Sequence, residues 1–240
     1  MVAFAGADPI GVLIGAKRPS GTLIYKIAVH PDHRRQGHGR HLLTSLSSKL
    51  AILGPPRLVA EVPEVLGPAS GLFIASGYVL EAVLTDYVLE GPALIEHASG
   101  AAGGMRVDGF VIPVTVDDLA ANGLLGQPDP HVCWERAVET LTARKDDIAG
   151  FAVASDERIE AYLLFVDRGV EGTEILSLRS FIEDGGARLT QLISQLPAQG
   201  TEIVRFQKVH PAEVSTELME RLGFRPAGGH LLYAATARSA

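Results

Sequence analysis

The stretch Ile27-Ala28-Val29-His30-Pro31-Asp32-His33-Arg34-Arg35-Gln36-Gly37-His38-Gly39-Arg40-His41-Leu42-Leu43 joins an apolar strand to an apolar helix through a loop rich in arginine and glycine. A strand that passes through such a loop into a helix sets a row of backbone N–H groups at the helix N-terminus. Glycines let the backbone come close to a ligand, and the helix dipole favours negative charge there. Arg34, Arg35 and Arg40 add positive charge at the same place. The ligand such a loop suits is a pyrophosphate. The order of residues differs from a Walker loop, which needs Gly-Lys-Ser/Thr, and lacks the third glycine of the dinucleotide fingerprint.

Upstream of this loop, turn signals at Asp8-Pro9 and Pro19-Ser20-Gly21 divide an apolar segment into three expected strands, 2–7, 10–16 and 22–29. Downstream, Leu42, Leu43, Leu46 and Leu50 recur at helical spacing until Gly54-Pro55-Pro56 ends the helix. A strand at 57–62, a short helix at 69–76 closed by Gly77, and a strand at 78–89 complete a β-β-β-α-β-α-β unit. Residues 91–104 are rich in Ala and Gly without periodicity and read as a linker. Beyond it come a strand at 107–114, a helix opened by Asp117-Asp118, and a helix at 132–145. Strands at 150–154, 159–166 and 173–181, a helix at 187–196, a strand at 202–209, a helix at 212–222 and a strand near 230–235 follow.

The two units repeat one order of elements. Leu72-Phe73-x-x-x-Gly77-Tyr78 ends one short helix and Leu218-Met219-x-x-x-Gly223-Phe224 ends its counterpart, an offset of 146 residues (223 − 77). This is a tandem duplication in which the first copy lacks an initial strand and two helices. The expected division is 1–90, a linker at 91–104, and 105–240. The fold class is α/β (α+β), with mixed β-sheets flanked by helices.

Composition narrows the function. A net charge of −7 and a pI near 5.6 argue against nucleic acid and anionic membrane as partners, because phosphate surfaces need broad fields of Lys and Arg. One cysteine, Cys133, allows no internal disulfide and points to the reducing cytoplasm. The opening residues have no basic segment followed by an apolar run, so no signal peptide and no membrane span is expected. Four histidines, His30, His33, His38 and His41, invite a metal reading, but only His38 and His41 approach a shared helical face, and no metal is expected.

The run Ile27-Ala28-Val29-His30-Pro31-x-x-Arg34-Arg35-x-Gly37-x-Gly39-x-x-Leu42-Leu43 resembles motif A of the GCN5-related N-acetyltransferases (GNAT), whose core pattern is Arg/Gln-x-x-Gly-x-Gly/Ala. Leu72-Phe73-x-x-x-Gly77-Tyr78 is similar to that family's Leu-Tyr-x-x-x-Gly-Phe helix end, so the resemblance covers about residues 9–90. Residues 105–240 resemble the same fold with a degraded loop, Glu183-Asp184-Gly185-Gly186-Ala187-Arg188, in which acids stand where the arginines were. The resemblance implies acetyl-CoA as co-substrate, bound once, in the first unit. Backbone groups of Ile27, Ala28 and Val29 would pair with the pantetheine arm, and Arg34, Arg35, Gln36, Gly37, His38, Gly39 and Arg40 would cradle the pyrophosphate.

The reaction it implies is direct attack of an acceptor amine on the thioester in a ternary complex, which calls for a base and an acid. Glu61 resembles the catalytic glutamate of the family's ribosomal-protein N-terminal acetyltransferases. Its counterpart in the second copy is Gln207, which is no base. The other readings of Glu61 are an exposed strand carboxylate or a salt-bridge partner of Arg57. At the acid position the family's tyrosine is Phe73 here, and Leu66 stands for its asparagine. Tyr25 and Tyr78 are the substitutes, each also readable as a packing residue. The expected function is an acetyl-CoA-dependent N-acetyltransferase acting on a small-molecule or peptide amine. The alternative is a non-catalytic acyl-CoA-binding sensor or regulatory module. Family members use the missing first helices to shape the acceptor site, so the resemblance implies that the second unit, a partner chain or upstream residues do so here, and a homodimer is one expectation from that gap.

Overall fold

In a computed structural model, the structure describes residues 1–91, 109–126, 129, 131–197 and 200–238. The expected linker therefore falls almost wholly outside the described residues. The chain forms two units, one of Met1–Leu84 with Gly229–Ala240 and one of Thr85–Gly228. Packing thus differs from a division into two contiguous halves, because the chain from Gly229 onward belongs to the first unit.

The first unit contains β1 (Val2–Ala5), β2 (Asp8–Arg18), β3 (Gly21–Val29), α1 (His38–Leu53), β4 (Arg57–Pro63), α2 (Gly67–Ala75) and the first half of β5 (Val79–Glu90). Neighbouring strands follow the order β1-β2-β3-β4 and then β11 (Arg225–Thr236). β11 pairs antiparallel with β4, from His230 opposite Pro63 to Thr236 opposite Arg57. One face of this sheet is closed by α1 and α2, whose Leu42, Leu43, Leu46, Leu50 and Phe73 meet Leu13, Ile24, Leu58, Ala60, Val62 and Tyr233. Each such leucine contributes roughly 1.5–3 kcal/mol by leaving water. Alternation in β4 decides what faces the other way: Leu58, Ala60 and Val62 are in the core, so Arg57, Val59 and Glu61 point to the opposite face.

The second unit adds β6 (Phe110–Pro113), α3 (Val116–Ala121), α4 (Val138–Ala143), β7 (Ala149–Ala154), β8 (Ile159–Asp167) and β9 (Thr173–Ser180). It continues with α5 (Ala187–Ile193), β10 (Ile203–Val209) and α6 (Thr216–Arg221). The residues of β5 from Thr85 to Glu90 pair with β10. Here both faces of the sheet are closed. α5 and α6 pack over one face, with Leu192, Ile193 and Met219 against Phe206 and Val204. α3 and α4 pack over the other, with Val116, Leu119 and Leu141 against Tyr162, Leu164 and Leu176. Thr115 and Asp118 form a capping box at the start of α3.

Most expected elements are present; the helix expected over 212–222 is shorter, at Thr216–Arg221, and two further departures bear on the packing. The helix expected over 132–145 is interrupted, being a 3₁₀ turn at Trp134–Arg136, then α4, then a second 3₁₀ turn at Lys145–Asp147. The interruption places the Arg136 guanidinium in the interior, bonded to both oxygens of Glu213 at 2.5 and 2.6 Å and to the Lys208 carbonyl. A continuous helix would leave that charge elsewhere, and a buried guanidinium is tolerable only with its carboxylate. The final strand is also longer than expected, because Arg225 to Gly228 belong to the second unit and Gly229 onward to the first.

Candidate functional site

β3 and β4 run parallel but are paired only at Thr22–Leu58 and Leu23–Val59. β3 continues to Val29 and β4 to Pro63, so beyond Leu23 the two strands part. The backbone of β3 on that side, including Ile27, Ala28 and Val29, has no strand partner, whereas its other side is paired with β2. An extended ligand can add to such a free edge as a strand does. β3 also carries a bulge: Lys26 lies opposite Ile14 and Ile24 opposite Gly15, which leaves Tyr25 as the extra residue.

Both features recur in the second unit. β9 and β10 pair only at Thr173–Val204 and Glu174–Arg205, and the bulge leaves Leu176 between Ile175 and Ser177. The counterpart of Tyr25 is thus Leu176, an offset of 151 residues (176 − 25). The sequence repeat alone gave no sign of the shared bulge, because its two residues differ in type.

After β3 the chain makes a 3₁₀ turn at Pro31–His33 and reaches α1 at Gly37. Besides the backbone bonds of the turn, side chains of His30, Arg34 and Gln36 hold the loop. Arg34 Nε donates to the Val29 carbonyl at 3.0 Å, Gln36 Nε2 donates to the Asp32 carbonyl at 3.1 Å, and the Asp32 amide donates to His30 Nδ1 at 3.4 Å. Gly37 is the N-cap in the left-handed region at φ 88°, with no side chain capping the helix and no acidic residue in its first turn. The amides of His38, Gly39 and Arg40 therefore face outward uncapped, since the first intrahelical bond is from His41 N to the Gly37 carbonyl. Arg35 is also left-handed, at φ 62°, a strained state for a residue with a side chain.

The two glycines do different work. A Cβ on Gly37 would meet nothing within 4 Å, so its need is conformational. A Cβ on Gly39 would lie 3.1 Å from Leu72 Cδ2, so its need is close packing of α1 on α2. A pyrophosphate fits this loop: uncapped amides at a helix N-terminus, three arginines, and open space at the N-cap.

The equivalent loop in the second unit is closed by its own side chain. Asp184 Oδ1 accepts from the Gly186 amide at 3.0 Å, and Oδ2 accepts from the Arg188 amide at 3.1 Å and from Arg188 Nη1 at 2.8 Å. Arg188 is held in turn by Glu160 at 2.7 Å. Burial opposes ionisation of Asp184, but these donors outweigh it and hold its carboxyl below the usual carboxylate range. The carboxylate occupies the place that an anion would take.

The expected catalytic residues separate on inspection. Glu61 lies on β4 facing away from α1 and α2, and Tyr25 protrudes from β3 with the Lys26 ammonium 5.6 Å from its ring centre. They stand on the two strands that bound the opening. Arg57 does not pair with Glu61: it bonds Glu81 at 2.9 and 2.5 Å, and four residues along a strand are ~13 Å. Phe73 is core, edge-on to Tyr78 at 5.2 Å and stacked on Tyr233 at 5.9 Å. Tyr78 is core as well, and burial pushes its phenol up to about 12, which makes it a poor donor. Among the histidines, the structure brings together the rings of His30, His33 and His38, with centres 5.9 and 6.2 Å apart, rather than His38 and His41. Among the described residues, no three metal-binding side chains converge.

Residues 1–79 match the family model described as an acetyltransferase (GNAT) domain. Solved structures share the fold across the whole chain. A tandem GNAT protein from the clavulanic acid biosynthesis pathway aligns over 100% of this chain and 82% of its own, at 18% identity and a TM-score of 0.67. A GCN5-related N-acetyltransferase from Anabaena variabilis aligns over 99% of this chain and 62% of its own, at 11% identity and a TM-score of 0.65. One from Sphaerobacter thermophilus aligns over 97% and 78%, at 12% identity and a TM-score of 0.64.

Proposed function

From the premise that residues 1–79 form a GNAT acetyltransferase domain within a chain of tandem GNAT fold, we propose that this protein is an acetyl-CoA-dependent N-acetyltransferase whose one cofactor site lies in the first unit. The observation that carries the reading is the contrast between the two loops. The one after β3 keeps its amides uncapped among Arg34, Arg35 and Arg40, while the one after β9 is filled by Asp184.

In this reading the loop 34–40 binds the pyrophosphate and the free edge of β3 at Ile27, Ala28 and Val29 takes the pantetheine arm. Acetyl-CoA supplies an activated acyl group. Glu61 accepts the proton that the acceptor amine must lose to become a nucleophile, directly or through water. The amine nitrogen forms the new C–N bond and sheds its second proton, the C–S bond breaks, and the leaving thiolate of CoA takes up a proton from a donor that the nitrogen's proton restores. With Phe73 and Tyr78 both in the core, Tyr25 is the tyrosine within reach of the opening to supply that proton.

The acceptor as a small-molecule or peptide amine, a cytoplasmic site of action and a homodimer belong to the same proposal. A species that stays monomeric throughout a sedimentation concentration series would remove the dimer. The second reading, acyl-CoA binding without turnover, is favoured by the burial of Phe73 at the usual acid position. Calorimetry with CoA, together with thiol release from acetyl-CoA across amines and peptide N-termini, separates the two. One equivalent of CoA bound, abolished by Arg34→Glu, with turnover on at least one amine is the expected result. Tight binding with no turnover selects the sensor, and unchanged binding in Arg34→Glu would remove the site from this loop.

A further inference from the structure

The face of the first sheet that points away from α1 and α2 holds an open groove of about 550 Å³, with Ile10, Val12, Ala28, His30, Pro31 and Arg34 among its lining residues. At the matched place in the second unit the residues are larger. Val12 lies opposite Ala28 as Tyr162 lies opposite Arg179, so Val12 corresponds to Tyr162 and Ala28 to Arg179. By the same offsets His30 corresponds to Phe181. In the second unit Tyr162 and Phe181 lie ring to ring at 6.0 Å, and the Arg179 guanidinium is 5.9 Å from the Phe181 ring centre. Large side chains fill there what small ones leave open in the first unit.

The exposed apolar surface continues from the groove. Ile14 is 48% exposed and Tyr25 57% exposed, whereas their counterparts Leu164 and Leu176 are 0% and 1% exposed beneath α3 and α4. The groove reaches Ala28 and Val29, the positions of β3 that bound its opening toward β4. Its floor is aliphatic, no carboxylate lines it among the described residues, and Arg34 is its fixed charge. An ammonium would meet Arg34 there with no carboxylate in the lining to offset it, and each further charge of a polycation adds to that repulsion. A body of aliphatic or aromatic carbon would gain roughly 25 cal/mol per Å² of apolar surface removed from water.

We infer that this groove is the acceptor subsite and that the acceptor is a primary amine with one positive charge and an apolar body, not a polyamine or an aminoglycoside. The inference rests on the acetyltransferase reading. Its test uses the full chain with phenethylamine, tryptamine, hexylamine and spermidine as acceptors, and calorimetry with CoA run in parallel. Val12→Tyr installs the residue that the second unit carries at this place, and Val12→Met is a milder filling should the tyrosine impair folding.

The expected result is turnover of the apolar amines above that of spermidine. In Val12→Tyr the KM for them rises about tenfold or more, in Val12→Met about threefold, with CoA affinity within twofold of the parent in both. Equal KM values in parent and variants overturn the inference, as does preference for spermidine or a parent that binds CoA and acetylates none of the apolar amines. A parallel loss of CoA affinity in the variants assigns the groove to CoA and also overturns it. A parent that binds no CoA removes the acetyltransferase reading first and this inference with it.

Discussion

Replacing Arg35 by glycine should make the first unit more stable and a weaker binder of CoA. Arg35 is held at φ 62° beside Gly37 at φ 88°. For a residue with a Cβ this conformation costs about 1–2 kcal/mol relative to glycine. Glycine loses about 0.5–1 kcal/mol more backbone entropy on folding, so the net gain is about 0–1.5 kcal/mol. For a unit of about 100 residues that corresponds to at most about 12 °C in Tm. The guanidinium is lost at the same time. At about 5 Å from a phosphate charge in a water-like dielectric it contributes about 1 kcal/mol, or about fivefold in Kd. The assay is thermal and urea unfolding alongside calorimetric titration with CoA at low and high salt, with Arg35→Lys as the control that keeps both charge and strain. A fall in stability for Arg35→Gly would show that the loop stores no strain at this position. CoA binding equal to the parent at low salt would show that Arg35 faces no phosphate. Either result refutes the account of the loop as strain retained for anion binding.

Gly39→Val forces branched carbon toward Leu72, whose Cδ2 lies 3.1 Å from where even a Cβ would stand, so chemical denaturation should show a loss of about 1–3 kcal/mol. Glu213→Gln strands the buried Arg136 guanidinium and should cost about 3–5 kcal/mol in urea unfolding of the second unit. Asp184 titrates below the usual carboxylate range in the folded chain, so its contribution is present above about pH 4 and is lost as pH falls through the folded value. Asp184→Asn should flatten that acid limb in a stability-versus-pH series. Tyr78 is raised to about 12, so ionisation favours the unfolded chain above about pH 10, and stability is lost from there up to the folded value. Tyr78→Phe removes a buried hydroxyl that has no hydrogen-bond partner among the described residues, should be neutral or stabilising by about 1 kcal/mol, and should abolish that part of the alkaline loss.

The sequence by itself determined the order of elements, the anion-binding loop and the duplication, because each is a local matter. The α1 stripe is written in Leu42, Leu43, Leu46 and Leu50, and the loop in Arg34-x-x-Gly37-x-Gly39. The offset between Gly77 and Gly223 exposed the repeat. Only the tertiary structure decided the rest. Which strand closes each sheet depends on pairing between residues far apart in the chain, as Leu232 with Glu61 and Val204 with Leu89. The job of Gly39 depends on Leu72, and the partner of Arg57 is Glu81 rather than Glu61, the pairing that one alternative reading of Glu61 offered, because a strand separates residues that a helix would bring together. Glu183-Asp184 read in sequence as charges that would repel a phosphate. In three dimensions Asp184 takes the phosphate's place, since an uncapped helix end binds whichever anion is held nearest, and in this unit that anion is its own side chain.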